Sequence, residues 1–304
     1  MKNAEVIALN GAVIYRGARG KLFCDIQTAG VKCRYEIPET EFTAPAEVVL
    51  TDLDGTSVKS EEFWVYLIEK TARVAGKNDA FRLSEEDIPF VSGFSTAQHL
   101  GYVIKKYGLP CDLATATEVY HEVAKRELGE IEAGGGNVSA LRPRDGLKKF
   151  LAKLKSAGVK IGLVTSGLDY KAIPEIVGAF RFEGLGDPLG VYDAIITGGR
   201  RKESGVYGTS GELCCKPHPW PYVEIGASLA GDDKRGVIVL EDSAAGVLSA
   251  RIAGYAVLGF NDGNIVKSGV SFLCERMIDT FDDALAFILH NQRAAERFRP
   301  REKP

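Results

Sequence analysis

The chain has 304 residues, 45% of them hydrophobic, enough to bury one large core or two smaller ones, and disorder of the whole is excluded. A net charge of −3 supplies no field that would draw nucleic acid or an anionic membrane, so neither is expected as a partner. No apolar run reaches the length that spans a bilayer and Met1-Lys2-Asn3-Ala4-Glu5 carries no signal-peptide pattern, which leads to the expectation of a soluble cytoplasmic protein.

Residues 1–46 read as a β-prone appendage. Its pieces are Glu5-Val6-Ile7-Ala8-Leu9, Ala12-Val13-Ile14-Tyr15 and Lys21-Leu22-Phe23-Cys24-Asp25-Ile26, broken by Asn10-Gly11 and Gly17-Ala18-Arg19-Gly20. The apolar run Glu47-Val48-Val49-Leu50-Thr51 is β-branched and too short for a helix, so it reads as a buried strand. It leads into Asp52-Leu53-Asp54-Gly55-Thr56. If the strand stays extended through Asp54, Asp52 and Asp54 share one face and Leu53 points away. Two crowded carboxylates repel, which requires a shared proton or a cation, and Mg²⁺ accepts an all-oxygen ligand set.

Ser60-Glu61-Glu62 then opens an amphipathic helix, and the pattern stays helical to about residue 141, clearest over 97–107 and 114–128. A helical insert placed directly after such a strand reads as a lid hinged over the site. From Pro143 onward helix and strand alternate. Helices are expected over 145–157, 170–180, 221–230 and 244–253, and strands over 158–165, 194–197, 236–240 and 255–258. That order means βαβ units, a Rossmann-like parallel sheet covered on both faces and a site at the carboxyl ends of its strands. The basic run from Arg293 to Pro304 reads as a solvated tail. The organisation expected is an appendage (1–46), an α/β core (47–58 and 142–290), a helical cap (59–141) and a tail (291–304).

Each core strand ends in a polar group that phosphoryl chemistry uses: Asp52 and Asp54, then Thr165 and Ser166, then Lys216 after a long loop, then Glu241 and Asp242. Singly each has an ordinary explanation as a cap or a solvated side chain. Their occurrence in this order on successive βα units points to one site. The six cysteines (Cys24, Cys33, Cys111, Cys214, Cys215, Cys274) form no C-x-x-C pair and read as reduced and structural.

Four stretches carry a resemblance: Asp52-Leu53-Asp54-Gly55-Thr56, Leu163-Val164-Thr165-Ser166-Gly167, Lys216-Pro217-His218-Pro219 and Val239-Leu240-Glu241-Asp242-Ser243. With them the chain resembles the haloacid dehalogenase (HAD) superfamily of phosphohydrolases, in its β-phosphoglucomutase-like branch with a helical cap. The resemblance implies that Asp52 is a nucleophile forming an aspartyl-phosphate and that Asp54 protonates the leaving oxygen and later activates water. It implies Mg²⁺ on Asp52, the main-chain carbonyl of Asp54 and Asp242, with Glu241 close by. Thr165 and Lys216 would hold the phosphoryl group. In the cap it extends more loosely to Gly93-Phe94-Ser95, so Gly93 and Ser95, with His99 one turn on and Ser166 in the core, are candidate substrate contacts.

Two departures bear on the reaction. The mutases of that branch carry a His twelve residues after the nucleophile, where this chain has Trp64, and an Arg after the cap Gly-x-Ser, where it has Thr96. The expected function is therefore a Mg²⁺-dependent phosphatase of a small phosphorylated metabolite, with a sugar phosphate as the favoured class. The alternatives are a phosphosugar mutase and a catalytically idle binding or regulatory protein, and protein partners are left open by the sequence.

Overall fold

The structure is a computed structural model, described for residues 6–9, 11–17, 20–28, 31–84, 87, 96–199 and 216–289. In chain order the elements begin with strands β1 (Val6–Leu9), β2 (Ala12–Arg16), β3 (Leu22–Thr28), β4 (Val31–Ile37), β5 (Val48–Asp52) and β6 (Val58–Lys59). Helices α1 (Glu61–Gly76), α2 (Thr96–Tyr107) and α3 (Leu113–Glu132) follow, then β7 (Arg142–Pro143), α4 (Leu147–Ser156), β8 (Lys160–Val164), α5 (Asp169–Glu183) and α6 (Pro188–Val191). The chain continues through β9 (Ala194–Ile196), α7 (Trp220–Ala230), β10 (Val237–Glu241), α8 (Ala244–Ile252), β11 (Ala256–Phe260), β12 (Arg276–Ile278) and α9 (Phe281–Leu289). No helix among the described residues is long and apolar enough to cross a membrane.

The chain divides into two compact units. The first comprises residues 1–57, 144–169 and 187–304 and is built on a six-stranded sheet of order β12-β11-β10-β5-β8-β9 in which every pair is parallel. Its central strands β5 and β10 are buried along their whole length, as expected of a parallel sheet covered on both faces. Helices α7 and α8 contribute Tyr222, Ile225, Val247 and Leu248 to the core beside Val48, Leu50, Val237 and Val239. Rings of α4, β11 and α9 pack together elsewhere in the unit, with Phe150 stacked on Phe281 at 4.5 Å and Phe260 edge-on to Phe281. Strand β12 and helix α9 were not among the expected elements; three residues, Arg276-Met277-Ile278, are too short a run to carry a periodic signal.

Strands β1 to β4 form a separate antiparallel sheet in sequence order. Its fourth strand also lay outside the expectation, because Lys32, Arg34 and Glu36 alternate with Cys33, Tyr35 and Ile37 and dilute the apolar signal. Alternation puts Ala12, Ile14, Cys24, Ile26 and Ile37 inward, where they join the same core as α7 and α8. Asp25 and Arg34 pair on the outward side at 2.7 Å. Strands β1 to β4 are thus a layer of the first unit.

The second unit comprises residues 58–143 and 170–186, and so includes most of α5. Its core is made by Phe63, Leu67 and Ile68 of α1, Leu100 and Val103 of α2, Tyr120, Val123, Ala124 and Leu128 of α3, and Ile176 and Phe180 of α5. Helix α3 starts at Asp112, whose carboxylate accepts from the Thr115 amide at 2.8 Å, the arrangement that satisfies orphan donors of a first turn. Cys24, Cys33, Cys111 and Cys274 are free thiols; Cys214 and Cys215 lie outside the described residues, as does the basic tail.

Candidate active site

The register of the parallel sheet sets Val164 beside Asp52 and Leu240 beside Thr51, so the carboxyl ends of β8, β5 and β10 finish level. Asp52, Thr165 and the Glu241-Asp242 pair therefore stand on adjacent strand ends, the position at which open α/β sheets bind ligands. β5 stops at Asp52, Leu53 is fully buried, and half-buried Asp54 lies directly before a turn over residues 55–57 in which Gly55 has φ 79°. A side chain at Gly55 would be strained at that φ, and its Cβ would fall 2.2 Å from Asp242 Oδ2. The turn and the end of β10 approach this closely because the residue is glycine.

Lys216 links the acids. Its Nζ donates to Asp52 Oδ1 at 2.5 Å, to Glu241 Oε1 at 2.6 Å and to the Val164 carbonyl at 3.0 Å, which uses all three ammonium protons. The side chain is 5% exposed, so these bonds act in a medium of low polarity. Glu241 also accepts from the Tyr222 hydroxyl at 2.6 Å and from Ser243 Oγ at 3.1 Å. Its carboxylate lies against Gly246, where a Cβ would meet it at 1.9 Å.

Burial and the neighbouring Glu241 charge push the Asp52 carboxyl well above its ordinary value, with Lys216 offsetting part of the rise. Asp242 is pushed up to about 7, by burial first and by Glu241 second, against the pull of the Thr56 hydroxyl and the Arg144 and Lys216 charges. Burial opposes the charge of Lys216, yet the attraction of Asp52 and Glu241 prevails and holds its ammonium above the usual lysine range. The Asp52, Glu241 and Asp242 carboxylates each bring an oxygen within 4.8 Å of the others, a group able to hold a metal ion. Three carboxylates against one ammonium leave an excess of negative charge that a divalent cation would neutralise, and the donors are all hard oxygens.

Several supports carry no motif in the sequence. Arg144, buried three residues before α4, donates to the Gly55 and Thr56 carbonyls, pairs through both Nη atoms with Asp262 at 2.9 and 3.0 Å, and lies 3.9 Å over the Phe260 ring. Asn264 donates its main-chain N–H to the Asp242 carbonyl at 2.9 Å, and its side-chain Oδ1 accepts from the Ala244 main-chain N–H at 2.7 Å. Tyr222 follows Lys216 by six positions, but its bond to Glu241 is made across strand ends, so no local spacing marks it. The one available signal was position: Arg144 opens the segment on which the chain returns to the first unit.

Thr165 is buried just past β8, where its Oγ1 accepts from the Gly167 amide at 2.9 Å, and Ser166 beside it is exposed. His99 is buried on α2, and burial lowers its imidazole below the usual histidine value. Gly93 and Ser95 lie outside the described residues. Trp64 is in α1, where its Nε1 donates to Ser60 Oγ at 3.0 Å and Lys171 Nζ sits 4.9 Å from its ring.

Residues 46–254 match the family model of haloacid dehalogenase-like hydrolases. Among solved structures, a β-phosphoglucomutase candidate from Thermotoga maritima is similar at 21% identity and TM-score 0.58, over 80% of this chain and 100% of that one. A predicted phosphoglycolate phosphatase from Haemophilus somnus is similar at 18% identity and TM-score 0.57, over 80% and 98%. CbbY from Rhodobacter sphaeroides, as a variant in complex with xylulose-(1,5)bisphosphate, is similar at 19% identity and TM-score 0.53, over 78% and 95%. At such identities the likeness establishes the fold.

Proposed function

Because the chain belongs to the haloacid dehalogenase-like hydrolase family, we propose that it is a Mg²⁺-dependent phosphatase that hydrolyses a small phosphorylated metabolite of the sugar phosphate class. The observation that carries this reading is Lys216 joined to both Asp52 and Glu241 at the level strand ends, with Asp242 in the same acidic group.

The residues divide the work as follows. Lys216 fixes Oδ1 of Asp52, so the other carboxylate oxygen is the one that attacks phosphorus, and the ester P–O bond breaks as the Asp52–phosphorus bond forms. Asp54 gives a proton to the departing oxygen, then takes one from the water that displaces Asp52 and releases inorganic phosphate. Thr165 Oγ1 already accepts from Gly167, which leaves its own proton for a phosphoryl oxygen. Asp52, Asp242 and the main-chain carbonyl of Asp54 would hold the metal, with Glu241 tethering Lys216 behind them. Bound Mg²⁺ supplies charge neutralisation that lets one anion approach another. Twelve residues after Asp52, where the mutases that this chain resembles carry a His, it carries Trp64, which favours water as the acceptor. The free thiols fit a reducing compartment, and with it the cytoplasm.

The test is inorganic phosphate release from a panel of phosphorylated metabolites with Mg²⁺. Turnover is expected to vanish with EDTA and to fall on the order of 10³-fold or more in Asp52→Asn. No release from any compound overturns the reading, and interconversion of glucose phosphates faster than phosphate release replaces it with a mutase.

A further inference from the structure

The lysine that joins the acids sits two residues before His218, and His218 is buried beneath the amino-terminal sheet. The Tyr35 hydroxyl, on β4, lies 2.9 Å from His218 Nδ1, and the two rings meet edge to face at 5.9 Å. On the opposite side the main-chain carbonyl of His218 accepts from Ser249 Oγ of α8 at 2.6 Å. His218 is fully buried, and burial holds its imidazole below the usual histidine value. A phenol hydroxyl can donate or accept, so the Tyr35 bond forms with either neutral tautomer. Next to His218, Pro217 is buried as well, so the segment from Lys216 to His218 runs between α8 and the sheet without a solvated residue to absorb a shift.

The family match begins at residue 46, after all four strands of this sheet have ended. The sheet nonetheless supplies the hydrogen-bond partner of His218. Alternation explains which residue can do so: Tyr35 pairs in register with Cys24, whose side chain is fully buried, so both point inward toward α8, while Arg34 and Glu36 point out.

We propose that Tyr35 is a positioning residue for the phosphoryl-transfer site: by holding the His218 imidazole, the amino-terminal sheet sets where Lys216 presents its ammonium to Asp52. The proposal rests on the phosphatase reading for its kinetic consequence but not for its structural one. Loss of the hydroxyl leaves Nδ1 buried without this partner, and the segment relieves that cost by moving. The shift passes to Lys216, whose three bonds lie at lengths of 2.5 to 3.0 Å and leave little slack.

The experiment compares Tyr35→Phe with Ile26→Val, which trims the buried core of the same sheet without touching His218. With 4-nitrophenyl phosphate and Mg²⁺, Tyr35→Phe is expected to lower kcat about threefold to tenfold while KM stays within about twofold, the size of effect that loss of one net hydrogen bond gives. Ile26→Val is expected to keep the wild-type kcat. Unchanged kcat in Tyr35→Phe, or an equal fall in both variants, overturns the proposal. The ¹⁵N signal of the Lys216 ammonium provides a readout without turnover: it is expected to be slow in exchange in wild type and Ile26→Val, and broadened in Tyr35→Phe. Wild type that releases no phosphate from 4-nitrophenyl phosphate or from any compound of the metabolite panel defeats the phosphatase reading and leaves the ammonium signal to decide the role of Tyr35, where an unchanged signal overturns it.

Discussion

At the scale of single residues, Lys216 has a large energetic stake, because its ammonium is bonded to two buried carboxylates. Burying a charge is tolerated when it is paired, and removing one partner leaves the others with the full cost of desolvation. Lys216→Met keeps the volume and removes the charge. The metal-free variant is expected to lose about 3–5 kcal/mol of stability at neutral pH, with the melting transition as the measure. Sign follows from linkage. The Asp52 carboxyl is already held above its ordinary value, and removal of Lys216 raises it further, so the folded variant resists losing that proton. A raised carboxyl contributes its stability below the unfolded value, near 4, and loses it as pH rises through the folded one. The penalty should therefore shrink as pH falls from about 7.5 toward 4.5, and denaturant titrations at the two pH values check it. An equal penalty at both would mean that the lysine acts through packing.

Among the elements, the segment after β5 carries Asp54 and is held from outside by the residues just before α4. Arg144 makes that connection through two main-chain carbonyls and the Asp262 pair. A lysine there cannot form the planar fork, so Arg144→Lys is expected to cost about 2–3 kcal/mol and to lower phosphate release by about tenfold to a hundredfold, since the segment that carries Asp54 loses its fixed geometry. Chemical denaturation and steady-state rates check the two parts, and a variant with wild-type turnover would free the turn from this dependence. The elements also divide by how readable they were. Strands β5 and β10 carry continuous Val-Ile-Leu runs and β8 an apolar run broken by Gly162, and their ends coincide with the Asp52, Thr165 and Glu241-Asp242 positions, so that row is legible in the sequence. Arg144, Asp262, Asn264 and Tyr222 were not, since their partners are distant in sequence and their residue types are ordinary. The membership of residues 170–186 in the second unit was equally hidden, because α5 has the amphipathic pattern of any helix in a βαβ series.

For the whole molecule, the amino-terminal sheet belongs to the same compact unit as the Asp52, Lys216 and Glu241 group. Its β-prone runs between turn signals mark residues 1–46 as an appendage, but burial of its inward side depends on which surface it meets, and alternation alone does not carry that. Ala12, Ile14, Cys24, Ile26 and Ile37 close over the same core as Tyr222, Val247 and Leu248. Each larger apolar side chain of such a set contributes about 1.5–3 kcal/mol when fully buried, and a domain's whole stability is about 5–15 kcal/mol. Removing the sheet forfeits several such contributions at once and also exposes the apolar side of α8 to water, a surface that drives association. A chain shortened to residues 47–304, which keeps nearly all of the family match, is therefore expected to aggregate or to melt far below the full chain. Size-exclusion chromatography and thermal melting of the two chains side by side are the measure. A shortened chain that stays monomeric, melts within a few degrees of the full one and releases phosphate at the same rate would show that α7 and α8 need no cover.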